Sequence, residues 1–280
     1  MLNVFMRFPK GLAKALTLSY DDGVIQDKRL IEIMGRHGIK GTFNLNSGLF
    51  AQEGTFTEEQ THRRLTAAEC RALYTPGKYE VAIHGLTHPF LEQLSGGMLC
   101  SEIVDDKRNL ERLFGQIIRG MAYPFGTYND EVVNALALSG IAYARTTYST
   151  ESFDIPEDWL RLDPTCHHSD DNLKELTDKF INYKPKQYSQ RPWMFYLWGH
   201  SFEFDNNNNW GLIEKFAETT GGRDDIWYAT NIEIYDYVKA YKSLIFSTDG
   251  KLVKNPSAVD VYALINNDIA EIKAGAVVAL

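Results

Sequence analysis

The chain's 280 residues suit one large domain or two small ones, and with 44% apolar and 12% aromatic residues it can bury a large core. A formal net charge of -8 without any basic run argues against a surface that tracks nucleic-acid phosphates. No apolar stretch has the length of a membrane span or a secretion signal, and Cys70, Cys100 and Cys166 form no disulfide framework. The expectation is a cytoplasmic protein that neither crosses a membrane nor binds nucleic acid, or a secreted one if a leader has been removed.

Short apolar runs alternate with amphipathic stretches, the pattern of a parallel α/β fold. Leu16 to Tyr20 reads as a strand ending at Asp21, Asp22 and Gly23, and Lys28 to His37 as a helix stopped by Gly38. Gly41 to Leu45 is the next strand. Thr66 to Tyr74 is a helix whose Thr66 and Glu69 have capping-box spacing. Tyr79 to Ile83 is a strand delivering His84, Ser95 to Phe114 a long helix, and Ile118 to Tyr123 a strand ending in Pro124, Phe125 and Gly126. Asn129 to Ser139 is helical and Ile141 to Arg145 extended. The next segment is irregular, with a brief strand at Trp159 to Leu162. Asn172 to Asn182 is helical, and the run Trp193 to Trp198 suits a strand covered on both faces before Gly199 and His200. Helices at Trp210 to Thr220 and Asn231 to Leu244, the latter capped by Asn231, flank a strand at Ile226 to Thr230.

Seven good strands with helical partners indicate a distorted (β/α) barrel over residues 1–246. Residues 247–280 alternate in a two-residue period around a turn at Asn266 and Asn267, and read as a small β appendage packed on the barrel.

Four apolar runs end at reactive groups: Asp21 and Asp22, His84, Pro124 to Gly126, and His200. In a parallel barrel those ends share one face, where active sites are built. Adjacent carboxylates repel, so Asp21 and Asp22 form either a solvated turn or a site holding a cation. His84 and His88, four apart, offer two imidazoles from one side of a helical turn, and an Asp from another strand would complete a two-histidine, one-carboxylate metal set. His200 is either a buried structural histidine or a catalytic one. His167 and His168 stand in the irregular region without a matching pair and read as supporting or substrate-loop residues.

In order, these motifs resemble those of the polysaccharide deacetylase family, the NodB-homology carbohydrate esterases of family 4, over Ala15 to Leu244. SYDDG at Ser19 to Gly23 is similar to TFDDG, and HGLTH at His84 to His88 to H-[ST]-x-x-H. AYPFG at Ala122 to Gly126 is similar to RPPYG, and LWGH at Leu197 to His200 to L-x-H. The resemblance implies a metal-dependent hydrolase that removes N-acetyl groups from an amino sugar or glycan, using water activated on the metal. It makes Asp22, His84 and His88 ligands of a divalent metal, most often Zn2+, with Co2+, Ni2+ or Mn2+ as alternatives. Asp21 becomes general base, His200 general acid, Leu197 a wall of the acetyl pocket, and the Phe125 N–H part of the oxyanion hole.

Ala122 stands where the family has an arginine that fixes the base, with Arg145 and Arg161 as candidate replacements. The last motif is one residue longer, and DIPEDW at Asp154 to Trp159 only loosely matches the fourth, leaving Asp158 to orient His200. Two other readings stay open: a metal-dependent amidohydrolase on a non-sugar amide, and a non-catalytic glycan-binding relative.

Overall fold

The computed structural model describes residues 3–55, 62–74, 77–186 and 190–280. Strand β1 (Val4–Arg7) precedes β2 (Lys14–Asp21), all of whose residues are buried. Then follow α1 (Asp27–Arg36), β3 (Gly41–Leu45), α2 (Ala67–Leu73), β4 (Glu80–Ile83), α3 (Gly96–Phe114), β5 (Gly120–Ala122), α4 (Asp130–Leu138) and β6 (Tyr143–Arg145). An irregular stretch leads to β7 (Cys166–His167), α5 (Leu173–Ile181), β8 (Trp193–Gly199), α6 (Phe202–Asn206), α7 (Gly211–Thr220), β9 (Trp227–Tyr228) and α8 (Asn231–Lys242).

Strands β2 to β9 make one parallel sheet in the order β6-β5-β4-β3-β2-β8-β7, with β9 also on β2. Strand β8 lies along one edge of β2 from Lys14 to Tyr20. The other edge is divided, Ala15 and Leu16 pairing with β9 and Leu18 to Asp21 with β3. This sharing curls the sheet without giving β9 a full place in it. At the far side β6 and β7 do not pair directly; Leu162 fills part of the gap, its N–H donating to the Ala144 carbonyl at 2.9 Å. The architecture is therefore the expected distorted (β/α) barrel, incompletely closed, with eight strands among the described residues rather than seven. The strand expected at Trp159 to Leu162 is a single 3-10 turn, Trp159–Arg161, and the extra strand is Cys166–His167. A strand of that length carries no readable alternation.

The two-residue period sorts the core. Leu16, Leu18, Tyr20, Phe43, Phe195 and Leu197 pack in one buried cluster with the helices around the sheet, while Ala15, Tyr143, Met194, Tyr196 and Trp198 belong to another. Thr66 and Glu69 form the expected capping box, worth about 1 kcal/mol. Helix α8 is capped by Thr230 with Glu233, not by Asn231, whose side chain instead turns inward to Thr17 and Tyr196.

The tail comprises β10 (Ile245–Phe246), β11 (Leu252–Lys254), β12 (Val261–Ile265), β13 (Asp268–Ile272) and β14 (Val277–Ala279). They form two antiparallel sheets, β1-β12-β13 and β10-β11-β14, so the tail hairpin holds the first strand of the chain. Asn266 and Asn267 have φ of 50° and 78°, the left-handed pair of a tight hairpin turn. Among the described residues no helix is long and apolar enough to cross a membrane.

Candidate active site and metal centre

Parallel strands put their C-terminal ends on one face. There β2 delivers Asp21 and Asp22, β4 delivers His84, β6 delivers Arg145, β7 delivers His167 and His168, and β8 delivers His200. Asp22, His88 and Phe125 all have φ between 58° and 85°, a region that side chains avoid unless the surroundings enforce it. His84 and His88 do not share a helical turn. Their loop is irregular, held by Thr87 N–H and hydroxyl on Glu102 at 2.8 and 2.7 Å, and it brings the rings to 4.7 Å.

The expected metal set does converge. His84 Nε2 and His88 Nε2 are each 4.0 Å from Asp22 Oδ1, and the three residues form a compact ligand group. Tetrahedral ligands on bonds of about 2.1 Å are about 3.4 Å apart, so each imidazole has to close on Asp22 Oδ1 by about 0.6 Å to hold an ion. His84 Nδ1 meets the Ala122 carbonyl at 2.8 Å, which places the proton on Nδ1 and leaves the Nε2 lone pair for a metal. Burial lowers the pKa of His84 to about 4 and lowers that of His88, so both imidazoles are neutral near pH 7. Asp22 Oδ1 is buried without a hydrogen bond although Arg64 Nη2 lies 3.0 Å away, off the bonding direction. An orphaned carboxylate oxygen facing two neutral imidazoles fits a divalent cation.

Two further side chains shape this group. Arg64 donates to the Asp22 carbonyl and to Asn46 Oδ1, and Asn46 Nδ2 donates to the carbonyls of His84 and Gly85 at 2.5 and 2.7 Å. Buried Asp106 accepts the backbone N–H groups of His84 and Ser47. Nothing near Arg64 in the sequence marks it as part of a site.

Asp21 is 2% exposed and pairs with Arg145, itself 1% exposed. Burial alone would raise the carboxyl pKa, but the Arg145 charge, with His84 and His200, holds it well below the carboxylate range. Asn44 Nδ2 donates to the other oxygen at 2.8 Å. Ala122 and Arg145 are direct neighbours in register between β5 and β6. A guanidinium thus reaches Asp21 from the strand beside Ala122, and the Arg145 plane lies 4.3 Å from the Trp198 ring centre. Arg161 is not part of the site: it pairs with Asp158 and Asp130 at the surface.

His200 Nε2 lies 3.8 Å from Asp21 Oδ2, and its Nδ1 is 3.2 Å from Glu203 Oε1. Asp158 does not orient His200; it caps its own turn through the Leu160 N–H and pairs with Arg161. Glu203 takes that place because His200 opens a helical turn that sets residues three apart side by side. Burial disfavours the His200 cation, yet the bond to Glu203 and the nearby Asp21 charge raise its pKa overall.

Leu197 is fully buried with Leu16, Phe195 and Cys166 and does not wall the site. The extra residue in the last motif shifts the alternation by one, so Trp198 shares a face with Tyr196 and stacks under Arg145. Phe125 is half exposed, stacked on Phe90 at 4.0 Å and edge-on to His88 at 4.5 Å.

Residues 9–144 match the family model described as polysaccharide deacetylase. No curated protein sequence matches the chain. A solved structure from Mycobacterium smegmatis, named as a polysaccharide deacetylase, aligns with 84% of this chain and 93% of that one at 16% identity and a TM-score of 0.57. A family 4 carbohydrate esterase from Streptomyces lividans in complex with acetate aligns with 78% and 93% at 16% identity and a TM-score of 0.50. A Streptococcus pyogenes deacetylase in complex with acetate is 24% identical over 52% of this chain and 61% of that chain, with a TM-score of 0.44.

Proposed function

We propose that this chain, whose residues 9–144 belong to the polysaccharide deacetylase family, is a metal-dependent hydrolase that releases acetate from an N-acetylated amino sugar or glycan. One observation carries the reading. The paired Asp21 and Arg145, the Asp22, His84 and His88 group, and His200 meet on one barrel face.

Amide hydrolysis needs an activated water, charge stabilisation for a tetrahedral oxyanion, and a proton for the departing amine. Asp22, His84 and His88 would hold a divalent ion, which when bound would lower the pKa of a water and polarise the carbonyl. Asp21, ionised throughout the neutral range, is placed to accept a proton from the attacking water, and Arg145 keeps the carboxylate charged and oriented. His200, held protonated by Glu203, donates a proton to the amine. The Phe125 N–H contributes to the oxyanion hole, and the exposed Phe90 and Phe125 rings beside His88 offer a flat face that suits a pyranose. That platform favours a sugar over a simple amide. The alternative of a non-catalytic relative leaned on Ala122, and Arg145 removes that support.

The direct test is acetate release from N-acetylated oligosaccharides by the purified chain, with chelator and with zinc restored. Chelator-sensitive release supports the proposal; its absence across several such substrates contradicts it.

A further inference from the structure

A second cluster of donors lies beside His200. His167 Nε2 and His168 Nε2 are 3.2 and 2.9 Å from the same atom, Glu203 Oε2. Such distances ordinarily mean hydrogen bonds, and against the upward push of burial, contact with the two imidazoles does hold the Glu203 carboxyl below its usual range. The directions, however, are poor: Glu203 Oε2 and both ring nitrogens of His168 are buried without a partner in hydrogen-bond geometry. Hydrogen-bonded groups meet along the direction in which the ring nitrogen presents its proton or lone pair. Two ligands of one metal ion meet off that direction, because each lone pair is aimed at the ion. With bonds of about 2.1 Å, ligand atoms at right or tetrahedral angles are about 3.0–3.4 Å apart, close to the spacing found.

The packing adds an independent reason. His168 is 0% exposed, stacked on Phe204 at 4.2 Å and on Tyr20 at 5.7 Å. A Cβ at Gly199 would lie 2.1 Å from its Nδ1, so only glycine leaves room for this ring. The fold thus fixes a wholly buried imidazole with its Nε2 unpaired, which is costly unless something accepts that lone pair. His167 Nδ1 is 2.6 Å from Ser169 Oγ and accepts the Ser169 N–H at 3.2 Å, contacts that fix the ring with Nε2 toward Glu203. The His167 and Glu203 side chains are 16% and 26% exposed, leaving an approach for an ion and positions for water.

We propose that His167 Nε2, His168 Nε2 and Glu203 Oε2 bind a second divalent transition ion, separate from the one at Asp22, His84 and His88. Two imidazoles and one carboxylate select zinc, cobalt or nickel over magnesium or calcium. Glu203 then joins this ion, through Oε2, to His200, through Oε1. The site shares no ligand with the first set, and with the catalytic reading it shares only Glu203, through the oxygen that does not face His200.

The full chain is stripped with chelator, dialysed against zinc chloride and then against buffer, and its zinc is counted by mass spectrometry. Two ions per chain are expected in the unaltered protein, one in His167→Ala, one in His84→Ala, and none in the double variant. One ion that His84→Ala removes and His167→Ala leaves would overturn the second site while sparing the first. One ion with the opposite sensitivity would support the second site and overturn the first. Anomalous diffraction above the zinc edge reads the unaltered protein directly: a peak within bonding distance of all three atoms is expected, and a peak only at Asp22 contradicts the proposal.

Discussion

Asp21 and Asp22 are adjacent carboxylates whose repulsion is relieved separately, Asp21 by Arg145 and Asp22 by Arg64. Adjacency by itself therefore calls for cations, not for a metal; the metal reading rests on the neutral His84 and His88 facing Asp22 Oδ1. Asp21→Asn should cut turnover by about 10²-fold or more, the scale of a lost general base, with zinc content unchanged. Unaltered activity would remove Asp21 as the base. Arg145→Met leaves Asp21 buried without its cation, so its pKa rises and the acid limb of the pH–rate profile should move to higher pH. An acid limb that stays in place would assign that limb to another group. Glu203→Gln removes a charge that favours the His200 cation, so the alkaline limb should move to lower pH. At this scale the strand-end carboxylates and histidines were legible, because each interrupts an apolar run. Glu203 was not, since a carboxylate three residues past a histidine is ordinary on any helix, and Asp158 was favoured only by its resemblance to a motif.

Strands explain both the success with Arg145 and the failure with Leu197. Arg145 was named by position alone, and the β5–β6 register shows why the position works: it is the cross-strand neighbour of Ala122. The double change Ala122→Arg, Arg145→Ala should recover part of the activity that Arg145→Ala loses, provided the variant melts within a few degrees of the parent. No recovery in a folded variant would mean that the guanidinium must come from β6. Leu197 was placed by matching letters, but a strand obeys its two-residue period, and the inserted residue moved Trp198 onto the site's face. Strand β7 escaped notice because it is short and is fixed by pairing with β8, a long-range contact that local pattern does not encode. The same blind spot hid the meaning of His167 and His168, which follow the rule of reactive groups at strand ends.

Across the whole molecule, alternation of apolar runs and amphipathic helices was enough to recover the barrel, while its degree of closure depended on how β9 and β3 divide one edge of β2. Far from the site, Glu80 is buried and accepts from Tyr143, Thr42 and the Ile232 N–H. Burial outweighs these bonds and raises its pKa to about 7. A carboxyl raised in this way contributes stability that is full below its ordinary pKa, near 4.5, and is lost as pH rises through about 7. Buried neutral histidines act in the opposite sense, so the comparison must be with Glu80→Gln. The advantage of the unaltered protein over this variant in thermal melts should shrink from pH 5 to pH 8; a constant difference would show that Glu80 does not titrate in that range. The function proposed for this chain is metal-dependent deacetylation at the face shared by Asp21, Asp22, His84, His88 and His200. It is tested most directly by acetate release from an N-acetylated oligosaccharide by the zinc-loaded, chelated and zinc-restored protein, alongside His84→Ala. Release that is lost on chelation, regained with zinc and absent from the variant is the expected result, and release indifferent to chelator and to His84 would contradict it.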